Sequence, residues 1–172
     1  MSIETVPDAN DAPRAARARN ARRIGLALFA VPVLAAAFGV FGPRPDRASA
    51  SGSGYAVTVD YPRATRSSIA TPFMVTVTKP GGFGSDPVVV RIDRAFMDRL
   101  DFQNWYPNPS AESNDGARTV YEFDPPAGES LQVSLDARTG PNQGFSSRTY
   151  AVAVLAGDVP AVTVDFRTTF WP

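Results

Sequence analysis

The sequence predicts an all-β domain behind a single membrane-spanning helix, and three observations predict it. Residues 24–42 run for 19 positions without a charge. From Tyr55 onward, apolar residues recur at every second position in seven separate segments, the period of a strand with one face buried. Clusters of Gly, Pro, Asn and Asp stand between those segments, as tight turns require.

Taken in order, residues 1–23 read as a short disordered cytoplasmic tail, acidic at first (Glu4, Asp8, Asp11) and then basic. As a helix, residues 24–42 would span roughly 28 Å, close to the ~30 Å hydrocarbon core of a bilayer. Pro32 in mid-run is tolerated in a membrane helix. Arg14, Arg17, Arg19, Arg22 and Arg23 precede the run, against Arg44 and Arg47 after it. That asymmetry predicts a signal anchor with a cytoplasmic N-terminus and an extracytoplasmic C-terminal domain at the plasma membrane. The competing reading is secretion after cleavage near Ala50, because Ala48-Ser49-Ala50 fits the small-residue pattern of a signal cleavage site. That triplet ends eight residues past the apolar run, and secretory cores of about 7 to 15 residues are shorter than this one.

Residues 43–54 pass from Pro to Ser/Gly composition and read as a linker with a mean reach of roughly 20 Å. Residues 55–172 then supply the seven strands. They are Tyr55–Tyr61, Pro72–Lys79, Pro87–Asp93, Arg118–Asp124, Ser130–Arg138, Thr149–Ala156 and Ala161–Phe170. In the third, for example, Val88, Val90 and Ile92 share one face while Arg91 and Asp93 share the other. A one- or two-turn helix at 93–100 is the only helical signal in this part, with Asp93 as its cap and Phe96 and Leu100 on one side. Seven alternating strands joined by short turns predict an antiparallel β-sandwich of Ig-like type, with a small barrel as the alternative.

Composition excludes several chemistries. The chain has no cysteine and no histidine. Disulfides, thiolate nucleophiles and Ser-His-Asp triads are therefore impossible within it. Net charge is zero, with neither a phosphate-cradling Gly-rich loop nor a basic-aromatic stripe, so neither nucleic acid nor nucleotide is expected as a partner. No cofactor and no metal site is implied. Asn114-Asp115-Gly116 stands in a calcium-loop-like spacing with Glu122, but Ala111 occupies the first ligand position, so it reads as a turn.

Two constellations invite a functional reading. Asp93, Asp98 and Asp101 offer paired carboxylates of the kind glycosidases use, yet Arg91, Arg94 and Arg99 interleave them and favour a salt-bridged solvated helix. The stretch 101–110, DFQNWYPNPS, reads as the longest loop between strands. Its Phe102, Trp105, Tyr106 and Asn108 combine rings with amides and are the candidate binding residues, suited to sugar or peptide stacking. The opposing possibility is that Phe102 and Trp105 plug one end of the core. A second loop, 139–148, carries a single aromatic, Phe145, and the closing Phe170 and Trp171 read as cover for the base of the sandwich.

The blocks YPRATRSSIATPFMVTV, TVYEFDPPAGESLQVSLDAR and VTVDFRTTF, behind an Arg-rich start and one span, resemble a family of actinobacterial single-pass membrane proteins with an Ig-like extracytoplasmic domain. Heavy Arg and Ala use, with Lys79 the sole lysine, agrees with a GC-rich genome. The resemblance covers nearly the whole chain, but its motifs are turns and strands, so it transfers no functional residue. It implies a polytopic membrane protein as companion. The expected function is a non-enzymatic, membrane-anchored interaction module for another envelope or membrane protein, with the bilayer held by residues 24–42. A cell-envelope glycan-binding module using Phe102, Trp105 and Tyr106 is the alternative, and a carboxylate-based hydrolase the remote one.

Overall fold

The computed structural model describes residues 11–38 and 44–172, with the side chains of 11–14, 102 and 103 left undescribed. The chain divides into two compact units, residues 1–42 and 43–172.

The first unit holds one helix, α1 (Asp11–Ala37). It begins 13 residues before the apolar run, so residues 11–23, expected as part of a disordered tail, are helical. Ala12, Ala15, Ala16, Ala18 and Ala21 have the strongest intrinsic helix preference, arginines follow closely, and Pro13 falls in the first turn, where its missing N–H has no consequence. The helix continues through Pro32. Its segment Ala15–Ala37 is long and apolar enough to cross a membrane, with a mean hydropathy of 1.3 over its most apolar window. Leu28, Phe29, Val33 and Leu34 are exposed. An apolar N-terminal helix of this kind serves as an anchor or as a signal sequence.

The second unit is all β apart from one helical turn. Its strands are β1 (Arg44–Gly52), β2 (Tyr55–Arg66), β3 (Phe73–Thr78), β4 (Val88–Asp93), β5 (Leu100–Tyr106), β6 (Ala111–Asn114), β7 (Arg118–Phe123), β8 (Ser130–Thr139), β9 (Ser146–Ala156) and β10 (Val159–Trp171), with α2 (Arg94–Met97) between β4 and β5. They form a single ten-stranded sheet in the order β5-β8-β3-β2-β10-β9-β4-β7-β6, with β1 added to β2. The pairings are antiparallel except one: Ala64, Thr65 and Arg66 of β2 run parallel to Thr169, Phe170 and Trp171 of β10. The sheet curls into a half-barrel. All seven strands read from the alternation form. The count of about seven is nevertheless too low, because three strands arise where alternation gave no signal.

Each of the three has a local reason. β1 occupies the segment expected as a linker. Ser53 and Gly54, at φ of 49° and 81°, close a two-residue turn, and β1 folds back along β2 with Ala50 opposite Val57 and Ala48 opposite Val59. β5 occupies the expected long loop. Its inward residues Leu100 and Trp105 are five apart, an odd spacing that a regular strand cannot place on one face, and a register shift between Asp101 and Asn104 reconciles them. β6 is a four-residue exposed edge strand folded onto β7 through the Asn114-Asp115-Gly116 turn. The short helix expected at 93–100 shrinks to α2. Asp93 makes no capping bond there.

The core lies within the curl. Val57 and Val59 of β2, Phe73 and Val75 of β3, Val90 and Ile92 of β4, Val152 and Val154 of β9, and Val164 and Phe166 of β10 are all buried. Phe96 from α2 reaches its centre, 5.1 Å from both Phe73 and Phe166 and 5.4 Å from Tyr150, centroid to centroid. With no disulfide, burial of such side chains, worth roughly 1.5–3 kcal/mol each, is the principal stabilising term.

Candidate functional site

The sequence places a binding surface at Phe102, Trp105, Tyr106 and Asn108, and the structure sets buried Trp105 apart from exposed Tyr106 and Asn108. Trp105 stands opposite Leu135 in the β5–β8 pairing. Its indole is 5% exposed and lies 4.9 Å from Tyr121 and 5.8 Å from Phe123, with Phe73 edge-on at 6.5 Å. It is core, not a stacking platform. The expected loop is corrected to a strand because its backbone finds a partner along β8, and pairing forces alternate side chains inward and outward. Tyr106, the next residue, is 79% exposed, and Asn108 beyond it is exposed as well. The side chain of Phe102 lies outside the described residues.

The aspartates are occupied structurally. Asp93 accepts the Ala151 backbone N–H at 2.8 Å through Oδ2 and faces Arg118 Nε at 3.4 Å through Oδ1. Asp98 pairs with Arg94 at 3.7 Å. Among the described residues no group of three or more acidic side chains could hold a metal ion.

The chemistry that converges lies elsewhere, at what we term the leading end of the sheet, where β1 begins. Register places Arg44 and Thr169 on either side of Ala64, and Arg66 beside Trp171. Because Phe166, Thr168 and Phe170 point into the core, Arg167, Thr169 and Trp171 form one outward row on β10. Ser147 of β9 flanks it, its hydroxyl 3.0 Å from that of Thr169 and accepting from Arg167 Nε at 3.2 Å.

At the head of this row the Trp171 indole meets Phe145 in a T-shaped contact, with centroids 5.0 Å apart. Both rings are open to solvent, Phe145 at 62% and Trp171 at 49%. The loop carrying Phe145 is fastened. The Gln143 backbone N–H donates to Ser67 Oγ at 3.0 Å, Arg99 Nη1 donates to Gln143 Oε1 at 2.6 Å, and the Ser67 N–H donates to the Trp171 carbonyl at 3.2 Å. At Gly140 a Cβ would come within 2.8 Å of Gln143 Nε2, so a larger residue there would make the Gln143 amide shift. Of the two residues expected as base cover, Phe170 is buried and Trp171 is not. Continuing the alternation one residue past Phe170 gives that outcome.

Two clefts open beside the row and share Tyr61 as a wall. The polar cleft, about 510 Å³, is lined by Asp46, Tyr61, Arg63, Ser147, Arg167 and Thr169. In it the Tyr61 hydroxyl donates to Asp46 Oδ2 at 3.3 Å. Burial, then the charge and hydrogen bond of Asp46, raise the Tyr61 pKa, while the Arg167 backbone and the Arg63 charge oppose the shift. The apolar cleft, about 260 Å³, has Pro45, Pro62, Pro72, Phe73 and Met74 among its walls, with Arg44 and Asp60 also lining it. Alternation could not reveal either cleft, since their residues come from six segments far apart in the chain.

No family model matches this chain, and no curated protein is similar to it.

Proposed function

We propose that this chain is a non-enzymatic, single-pass membrane protein whose β unit works as an extracytoplasmic interaction module for another envelope or membrane protein. The observation that carries this reading is the apolar cleft, whose proline walls and aromatic floor suit an apolar side chain from a partner's extended segment, with Arg44 in its lining able to donate to that segment's backbone and Asp60 held in place by Arg47 at 2.7 Å. The Arg-rich first half of α1 supports an N-terminus on the cytoplasmic side. Retention of the helix is supported by β1. Cleavage after Ala50 would remove most of that strand and uncover the edge of β2. An Ig-like description of the unit is supported by its two antiparallel runs, which among the described residues pair with each other through the short β2–β10 parallel segment around a shared core. The actinobacterial family resemblance stands as part of the same proposal.

A photoreactive amino acid at Ala70, an exposed residue of the cleft, should crosslink one membrane or envelope protein in native membranes. The same probe at Asp158, in the exposed β9–β10 turn, should not. Recovery of free monomer alone from both positions would defeat the proposal. A second reading, glycan binding, is favoured by the exposure of Tyr106 beside Asn108, and it now rests on those two without Trp105. Loss of cell-wall polysaccharide retention in Tyr106→Ala, with unfolding unchanged, would support it.

A further inference from the structure

We propose that the outward row at the leading end seats on the headgroup layer of an anionic bilayer, with Arg63 and Arg167 taking a lipid phosphate and Phe145 and Trp171 entering the interface. The inference rests on reading α1 as a retained anchor.

Charge and shape both favour this occupant. Arg63 and Arg167 line the polar cleft, and Arg66 and Arg44 stand beside it in the sheet. The one acid in its lining, Asp46, is engaged at both oxygens, by the Tyr61 hydroxyl and by the Arg47 backbone N–H at 2.9 Å. Among the described residues neither Arg63 nor Arg167 has a carboxylate partner. Planar guanidinium groups flanked by the Ser147 and Thr169 hydroxyls match a phosphate's several acceptor oxygens. Four residues along β10, roughly 13 Å from Arg167, Trp171 and Phe145 present a rigid aromatic pair to the same side. Trp is enriched at the membrane–water boundary, where its ring rests among headgroups.

Chain length supplies the independent argument. Six residues, 38–43, separate the end of α1 from the first residue of β1, and fully extended they reach about 20 Å. The covalent chain therefore enters the β unit at its leading end, through a tether short enough to leave that end within reach of a bilayer spanned by α1. A basic row with two exposed rings at this end, rather than at the opposite turns, has a partner within reach. The interaction should weaken with salt, as surface electrostatics do.

The test uses the full chain in lipid nanodiscs made with brominated phosphatidylglycerol or brominated phosphatidylcholine, the bromines acting as fluorescence quenchers. Trp171 emission is isolated as the difference between wild type and Trp171→Phe, which leaves the buried Trp105 in place. The expected result is quenching of the Trp171 component by roughly half or more in phosphatidylglycerol discs, reduced at least about twofold in phosphatidylcholine discs and in the double variant Arg63→Ala/Arg167→Ala. Thermal unfolding of the double variant should match wild type. A chain that integrates into discs but shows no quenching of Trp171 in either lipid overturns the docking inference. Equal quenching in both lipids, unchanged by the arginine replacements, overturns the assignment of the phosphate to Arg63 and Arg167. A chain that fails to integrate at all refutes the anchor reading instead.

Discussion

The rings of Trp105 and Tyr121 lie 4.9 Å apart, centroid to centroid, at 58°, joining strand β5 to strand β7 through the core. Truncating such a ring leaves a cavity that the surrounding β structure cannot fill. Trp105→Ala should therefore cost ~3–5 kcal/mol in denaturant unfolding. Its neighbour Tyr106 is exposed, and Tyr106→Ala should change stability by no more than ~0.5 kcal/mol. Equal, small effects at both positions would contradict the packing described here.

Alkali should unfold the domain through its buried tyrosines. Burial pushes the Tyr121 hydroxyl up to about 12 from an ordinary 10, and Tyr61 and Tyr150 are raised in the same direction by the same leading cause. Above pH 10 the unfolded chain has released protons that the folded chain still holds. Stability is therefore full below about pH 10 and falls as pH rises toward about 12. Tyr121→Phe should make this fall shallower. Unfolding midpoints followed across that range, with tyrosinate absorbance alongside, check it.

Three buried hydroxyls clasp the β2–β3 connection to β8. Thr71 and Thr139 are 2.9 Å apart, Thr65 is 3.1 and 3.3 Å from them, and both Thr71 and Thr139 lie 3.0 Å from the Ile69 carbonyl. Three hydroxyl protons fill at most three of these five contacts, and the Thr71 and Thr139 hydroxyls are both placed to donate to the Ile69 carbonyl. Thr139→Val removes one proton and one acceptor at once. It should cost ~1–3 kcal/mol and speed hydrogen exchange at the Thr139 amide, which donates to Ile69. Unchanged exchange there would show that the clasp does not hold the connection.

Asp93 is a structural group here. Asp93→Ala strands the Ala151 N–H and frees Arg118, and should cost ~1–3 kcal/mol. Asp93→Asn, which keeps an acceptor, should cost less. The reverse order would contradict the geometry.

How much of this could be read in advance depended on whether burial followed a simple period. Val57/Val59, Val88/Val90/Ile92 and Leu131/Val133/Leu135 alternate cleanly, so their strands and inward faces were legible. β1 was hidden because Ala48, Ser49, Ala50 and Ser51 carry no apolar contrast, and its pairing is backbone hydrogen bonding that no side-chain pattern reports. In sequence the strand carrying Trp105 reads as a loop, with a core plug as the alternative, because the irregularity between Asp101 and Asn104 changes the parity of everything after it. The candidate site was less legible still. Phe145 and Trp171 were both noticed, but nothing local says that they touch.

Covalent order and hydropathy are local properties, and they settled from sequence alone that a long uncharged apolar run precedes a β-rich unit lacking histidine and cysteine. The tertiary structure decided how many strands join the sheet, which of the aromatics are buried, and that Arg63, Arg167, Phe145 and Trp171 share one end. Those outcomes follow from pairings between residues more than a hundred positions apart, such as Ala64 with Thr169, whose energy exists only once the sheet has curled and brought them together.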